Sequence, residues 1–178
     1  LQALHRFPLE GRQIDLQFSY SQPYVNVVKE KIEPRQSSQS ILQLGYQFPC
    51  QYGDKDYFAL IVFNAMFGEF AHSALFTTLR EKEGLAYSIS SQFDIFTGLL
   101  EVYAGIEKSN RNQAMRGISR ELNYIKLGRF SSSLLNQTKK IIRMNALLSE
   151  DHALTLVEQR FNKVIFGDKS LSLENWLD

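Results

Sequence analysis

The sequence predicts an α+β fold in which helices pack on one face of a mainly antiparallel sheet. Segments that alternate apolar with polar residues lie in two blocks, within residues 14–48 and 86–106, as half-buried strands do. Segments with apolar residues three and four apart follow each block, which is typical of helices with one buried face. The link inside the second block has the length of a hairpin loop, so its strands should run antiparallel.

Three stretches of the first block are predicted to be extended. Residues 14–18 alternate, Val25 and Val27 indicate a further strand, and residues 42–48 form a strand that stops at Pro49.

Two helices are predicted after this block. Every residue from Tyr57 to Phe67 except Asn64 is apolar or aromatic, which indicates a buried helix that ends at Gly68. Ser73 is a plausible cap for a second helix, which Gly84 closes.

The second half of the chain is predicted to be a hairpin followed by helices. Residues 86–106 form two strands joined by the loop DIFTG. The first helix begins near Ser109 and stops at Gly128, serines 131–133 cap the next, and a third covers residues 151–166.

Length and composition indicate one globular domain with a full core. The 178 residues are 44% hydrophobic and 22% charged, which excludes a disordered chain. Because the chain begins with leucine and not methionine, we expect residues 1–35 to be strands and a linker from the preceding half of a longer protein. Residues 36–178 are then expected to form the α+β domain.

The charge pattern gives no reason to expect nucleic acid or a membrane as partner. The net charge is +1, and basic residues are interleaved with acidic ones. The longest strongly apolar stretch spans 11 residues, too few to cross a bilayer. The single cysteine, Cys50, fits a reducing compartment and is expected to line the core. With no signal peptide visible, we expect the protein in the cytoplasm.

No complete catalytic motif is found in the sequence. Its histidines, His5, His72 and His152, are far apart and none belongs to a His-x-x-Glu-His motif, so the chain offers no complete zinc site. Gly-x-Ser-x-Gly and P-loop patterns are also absent. We therefore expect neither a self-sufficient active site nor a cofactor in this chain.

The stretch LREKEGLAYS (79–88) places Arg80 and Tyr87 on either side of Gly84. In one interpretation, basic residues favour a helix end, Gly84 supplies the left-handed stop, and Tyr87 begins a strand. In the other, a guanidinium and a phenol meet at one surface and hydrogen-bond a peptide carbonyl, or the oxyanion it becomes. Local sequence does not choose between them.

A longer pattern resembles a known family. FNAMFGEFAHSALFTTLREKEGLAYSISSQFDIFTGLLEVYAGI combines a buried helix, a glycine-containing turn, Ser-x-Leu-Phe and Leu-Arg-Glu-Lys-x-Gly-Leu-Ala-Tyr-Ser. With the helices that follow, it resembles the second, zinc-free half of the pitrilysin (insulinase) metallopeptidases, the family of insulin-degrading enzyme and the mitochondrial processing peptidase. The likeness covers roughly residues 36–166.

The resemblance implies two similar α+β halves that close around an unfolded peptide. One half binds zinc and activates water. The other half, which this chain resembles, contributes an arginine and a tyrosine, here Arg80 and Tyr87, which orient the peptide backbone and stabilise the tetrahedral intermediate.

Partners and zinc follow from the same resemblance. The expected partners are the N-terminal half of the same chain, a homologous zinc-bearing subunit, and an extended peptide that adds to a sheet edge. Zinc is expected only in the partner domain or subunit. This chain alone is then not an enzyme, and any zinc metalloendopeptidase activity belongs to the full-length protein or complex.

The sequence departs from the family in one turn. Active members often have Gly-Gly-Gly-Met-Ser-Ser where residues 68–73 read GEFAHS. FAHSALF is closer to a bacterial subgroup whose members pair with a zinc-bearing homologue and often lack the metal motif, some being linked to modification of translation elongation factor P. A catalytically inactive scaffold or adaptor is therefore a second interpretation, and an unrelated α+β binding module is a third.

Overall fold

The computed structural model describes residues 25–48, 50, 54–94, 97–149 and 153–166. The strands are β1 (Ser40–Gln47), β2 (Ala86–Asp94) and β3 (Leu99–Ile106). The α-helices are α1 (Tyr57–Asn64), α2 (Arg111–Lys126), α3 (Ser132–Ser149) and α4 (Ala153–Phe166). Two π-helical segments, Ala65–Glu69 and Phe76–Lys82, lie between α1 and β2, and a 3₁₀ turn, Lys108–Asn110, precedes α2.

The three strands form one antiparallel sheet in the order β1-β3-β2, so the last strand in sequence lies in the centre. Alternate residues of β3 are almost fully buried: Leu100, Val102, Ala104 and Ile106. They pack in one core with apolar side chains of α1, α2, α3 and both π-helical segments. The predicted α+β fold is therefore confirmed.

Residues 25–39 form no regular element ahead of β1. The strand that Val25 and Val27 indicated is therefore not present, and Val27 is 71% exposed. A strand needs a neighbour that satisfies its backbone groups, and in the described part of the sheet β1 pairs only with β3. The strand predicted over residues 14–18 lies outside the described residues.

Two predicted glycine stops are confirmed by the backbone. Gly84 and Gly128 have φ angles of +60° and +69°. After Gly84, the Leu85 N–H donates to the Leu79 carbonyl at 2.8 Å, which closes the end of the second π-helical segment. Side chains of L-residues rarely tolerate this backbone region, so glycine is required at both ends.

Gly68 does not end the first helix in the predicted way. The helix continues through a π-helical segment to Glu69, and Gly68 has no positive φ. Glycine is needed here because β2 approaches closely: a Cβ at Gly68 would lie 2.6 Å from Ser91 Oγ and 2.8 Å from the Ser91 backbone nitrogen. Beside it, the buried Asn64 accepts a hydrogen bond from Ser91 Oγ at 2.7 Å and donates to the Glu69 carboxylate at 2.9 Å. The helix end and β2 are thus joined by packing and hydrogen bonds.

The loop between the two π-helical segments is attached to α3 through His72. Its Nε2 lies 2.9 Å from Oγ1 of the fully buried Thr138, and its ring stacks on Phe70 with 5.6 Å between centroids. Burial lowers the pKa of His72. The loop in which this chain departs from the glycine-rich family pattern is therefore held by side-chain contacts.

We predict that Gly68→Ala lowers the free energy of unfolding by about 1–3 kcal/mol, because the added methyl group meets a backbone atom of β2. Gly45→Ala in β1 is the control: a Cβ there would lie 3.7 Å from Leu99, an ordinary contact. We expect it to change stability by no more than about 0.5 kcal/mol. Urea denaturation measures both, and equal stabilities would contradict the close approach.

A second prediction concerns the pH dependence of stability. Because the folded state lowers the pKa of His72, the unfolded chain binds more protons than the folded one just below the usual histidine pKa. The stabilising contribution is complete above about pH 6.5 and is lost as the pH falls through the lowered pKa. We expect Tm to fall more steeply on acidification in the wild type than in His72→Gln. Parallel curves of Tm against pH would show that His72 does not contribute to the pH dependence of stability.

Candidate functional site

Arg80 lies near the C-terminal end of the second π-helical segment and is exposed. Its guanidinium carbon is 4.5 Å from the centroid of the Phe76 ring, in a cation–π contact. Among the described residues, no carboxylate forms an ion pair with Arg80. Within the described part of the chain, its N–H donors are therefore not occupied by a carboxylate.

Tyr87 is turned outward by a β-bulge in β2. Ala86 and Ser88 pair with consecutive residues of β3, so Tyr87 has no residue opposite it. In a regular strand Tyr87 would share the face of Ile89 and Ser91, which are both buried. Instead, Tyr87 and Ser88 are both exposed, and Tyr87 has 51% of its surface accessible.

A glycine on β3 makes room for the bulge. Gly105 is the partner of Ser88, and a Cβ at Gly105 would lie 2.8 Å from the Ser88 hydroxyl oxygen. A larger residue would require the Ser88 hydroxyl to move, whereas the Ser88 backbone nitrogen, 4.0 Å away, would be at an ordinary contact distance.

The Tyr87 phenol has a hydrogen-bond partner that the sequence does not indicate. Its hydroxyl donates to the Glu107 Oε1 atom at 2.9 Å. This hydrogen bond is the main reason why the pKa of Tyr87 is raised, and desolvation adds to it. Glu107 follows β3 directly, twenty residues after Tyr87. No local pattern indicates such a pair, and only the register of β2 on β3 could have suggested it.

Arg80 and Tyr87 therefore both reach the surface, each with its own neighbour. Arg80 contacts Phe76, and Tyr87 contacts Glu107. No described contact joins the two side chains directly.

Arg120 of α2 anchors the turn between Arg80 and Tyr87. Its guanidinium donates to Glu83 Oε1 at 2.6 Å and to Glu121 Oε1 at 3.0 Å. An open groove of about 390 Å³ borders this contact, lined by Glu83, Leu85, Gln113, Arg116, Gly117 and Arg120. The ion pair connects α2 to the residue that precedes Gly84.

The described residues include no group of three or more His, Cys, Asp or Glu side chains that could hold a metal ion. His5 and His152 lie outside the described residues.

Cys50 is only 7% exposed, and burial, followed by the nearby Asp54 and Asp56 carboxylates, raises the pKa of its thiol. This environment fits the predicted core-lining role.

None of the described helices combines the length and the apolar character that a membrane span needs.

Comparison with known sequences identifies relatives of this chain. Residues 9–142 match the profile of the family described as "Peptidase M16 inactive domain". The "Probable inactive metalloprotease YmfF" of Bacillus subtilis is 43% identical over 130 residues, and the "Uncharacterized zinc protease YmxG" of the same organism is 29% identical over 117. These alignments cover 73% and 65% of this chain but 30% and 28% of the relatives. The chain thus spans less than a third of their length.

Comparison with solved structures also identifies a relative of this chain. A conserved protein from Enterococcus faecalis V583 superimposes with a TM-score of 0.85 at 42% identity, over 89% of this chain and 37% of that one. The expected resemblance to the zinc-free half of a metallopeptidase is confirmed by both the sequence profile and the fold. The chain belongs to the peptidase M16 inactive-domain family.

Proposed function

We propose that this chain is the substrate-binding, non-zinc half of a pitrilysin-type peptidase, in which Arg80 and Tyr87 orient the peptide and stabilise the tetrahedral intermediate. The observation that carries this proposal is the β-bulge, which exposes Tyr87 seven residues after the exposed Arg80. A tyrosine that only filled the core would not need such a bulge. Bulges are frequent beside active sites, where they redirect a side chain.

Arg80 suits a peptide carbonyl that gains negative charge. A guanidinium presents several N–H donors in one plane and binds an oxyanion by charge-assisted hydrogen bonds. Such bonds strengthen as charge develops on the oxygen, so they favour the tetrahedral intermediate over the bound peptide. In this role Arg80 lowers the barrier to hydrolysis.

The zinc and the attacking water would be supplied by another domain or subunit. The described residues hold no candidate metal ligands in a group, and the matched relatives are more than three times as long as the aligned part of this chain. We infer that the partner is the other half of a longer chain or a zinc-bearing homologue. The extended peptide would then lie between the two halves.

A catalytically inactive scaffold or adaptor is the second candidate function. It is supported by the description of the 43% identical relative as an inactive metalloprotease. It is also supported by residues 68–73, where His72 contacts Thr138 in place of a glycine-rich turn. In this case Arg80 and Tyr87 would contact a zinc-bearing partner and not a substrate.

We predict that Arg80→Ala lowers kcat/KM for peptide hydrolysis by the full-length protein and its zinc-bearing partner roughly 10- to 150-fold, the effect of one charge-assisted hydrogen bond. Tyr87→Phe, which removes a neutral hydrogen bond, should lower it about 2- to 12-fold.

The matched controls are Arg129→Ala, just after α2, and Tyr103→Phe on β3. Both side chains are exposed in the native fold, and both variants should keep the wild-type rate. If Arg80→Ala and Tyr87→Phe also keep full activity, the catalytic role is wrong and the scaffold function is favoured.

A further inference from the structure

Tyr87 and Glu107 form a hydrogen-bonded pair at the open end of the β2–β3 hairpin, opposite the loop that joins the two strands. A phenol has one proton to donate, and here that proton is donated to the carboxylate at 2.9 Å. In this arrangement the Tyr87 oxygen offers a ligand only its lone pairs. The Glu107 carboxylate likewise only accepts hydrogen bonds.

Arg80 offers the opposite chemistry. Its guanidinium is packed against Phe76, has no acidic partner among the described residues, and can only donate hydrogen bonds. Two exposed groups thus offer complementary chemistry, with donors at Arg80 and acceptors at the Tyr87–Glu107 pair. An extended peptide carries both kinds of group, a C=O acceptor and an N–H donor in each residue.

We propose that Glu107 is a positioning residue that makes Tyr87 a hydrogen-bond acceptor for a backbone N–H of the bound peptide. Donation to the peptide carbonyl then falls to Arg80. The inference rests on the function proposed above and divides its two roles: Tyr87 orients the peptide, and Arg80 alone contacts the oxyanion.

The surroundings of Glu107 support this role because they fix the carboxylate. Its backbone carbonyl accepts the Asn110 N–H at 2.9 Å in the turn before α2, and the Ser109 hydroxyl lies 3.4 Å from its Oε2 atom. Tyr87 lies in the bulge of β2, between Ala86 and Ser88, which pair with consecutive residues of β3. Both partners therefore lie where β2 begins beside the end of β3, and their hydrogen bond orients the phenol before a ligand arrives.

The hydrogen bond can be tested without any substrate, by NMR of the full-length protein with tyrosine labelled with ¹³C at Cζ. The resonance that disappears in Tyr87→Phe identifies Tyr87. We expect Tyr87 to ionise at a higher pH than an ordinary exposed tyrosine, and Glu107→Ala, which removes the acceptor, to bring its ionisation back towards that range. Glu101→Ala is the control, because Glu101 bonds to Gln92 and not to Tyr87. If Glu107→Ala leaves the titration of Tyr87 unchanged, the pair does not form and the proposal is overturned.

The acceptor role can be tested with a short fluorogenic peptide and a series in which one backbone amide at a time is replaced by an ester. An ester keeps the carbonyl but has no N–H. With the full-length protein and its zinc-bearing partner, we expect one ester position to raise KM about 5-fold and to leave kcat nearly unchanged, as for one neutral hydrogen bond. That penalty should vanish in Tyr87→Phe and shrink in Glu107→Ala. Glu107→Gln should keep most of it, because its amide oxygen can still accept the phenol proton.

Three results would overturn the acceptor role. If Glu107→Ala raises kcat, the released phenol donates to the intermediate and Tyr87 acts as a donor. A second outcome is that Tyr87→Phe lowers kcat/KM while each ester substitution raises KM by the same factor in this variant as in the wild type. In that case the proposed function stands and the acceptor role is wrong. If neither Arg80→Ala nor Tyr87→Phe affects hydrolysis, the proposed function fails and the acceptor role fails with it.

Discussion

The exposure of Tyr87 depends on a conflict within β2 between the residues that are buried and the alternation of a regular strand. Side chains of a regular strand alternate between the two faces of the sheet, so positions 86 and 89 cannot both point inward. Yet Ala86 and Ile89 are both buried. The strand accommodates one extra residue between them, and that residue is Tyr87. The core thus determines where the bulge lies, and the bulge determines that the phenol is exposed.

The elements that carry Arg80 and Tyr87 are fixed by contacts of other residues, away from these two side chains. Gly68 lets the end of the first helix approach Ser91 of β2, and Arg120 holds Glu83 at the turn before Gly84. Arg80 and Tyr87 themselves are exposed, and exposed side chains contribute little to folding. Their substitution should therefore change function without unfolding the domain, which allows the two effects to be separated.

Membership of the M16 inactive-domain family agrees with the chemistry of the described residues. They provide hydrogen-bond donors and acceptors at a surface but no group of metal ligands. Peptide hydrolysis would therefore require another unit that supplies a water-activating centre. The loop of residues 68–73 is where the two candidate functions differ, because contacts of His72 with Thr138 and Phe70 replace the flexibility of a glycine cluster.

Much of the fold follows from local sequence. Alternation over residues 42–48 and 86–106 predicts strands, and glycines at positions 84 and 128 predict left-handed helix ends. These features depend on side-chain period and on the φ angle of a single residue, both of which act within a few positions. Local sequence did not decide the role of Arg80 and Tyr87, and only the resemblance of the surrounding pattern to a family made them candidate site residues.

Tertiary structure decided the features that depend on a neighbouring strand. Two valines at 25 and 27 do not make a strand without a partner for their backbone, and Gly68 is needed for the contact with Ser91 and not for a helix end. The exposure of Tyr87 and its bond to Glu107 depend on how β2 pairs with β3. That register results from packing the whole core, because the residues that must be buried together lie far apart in the sequence.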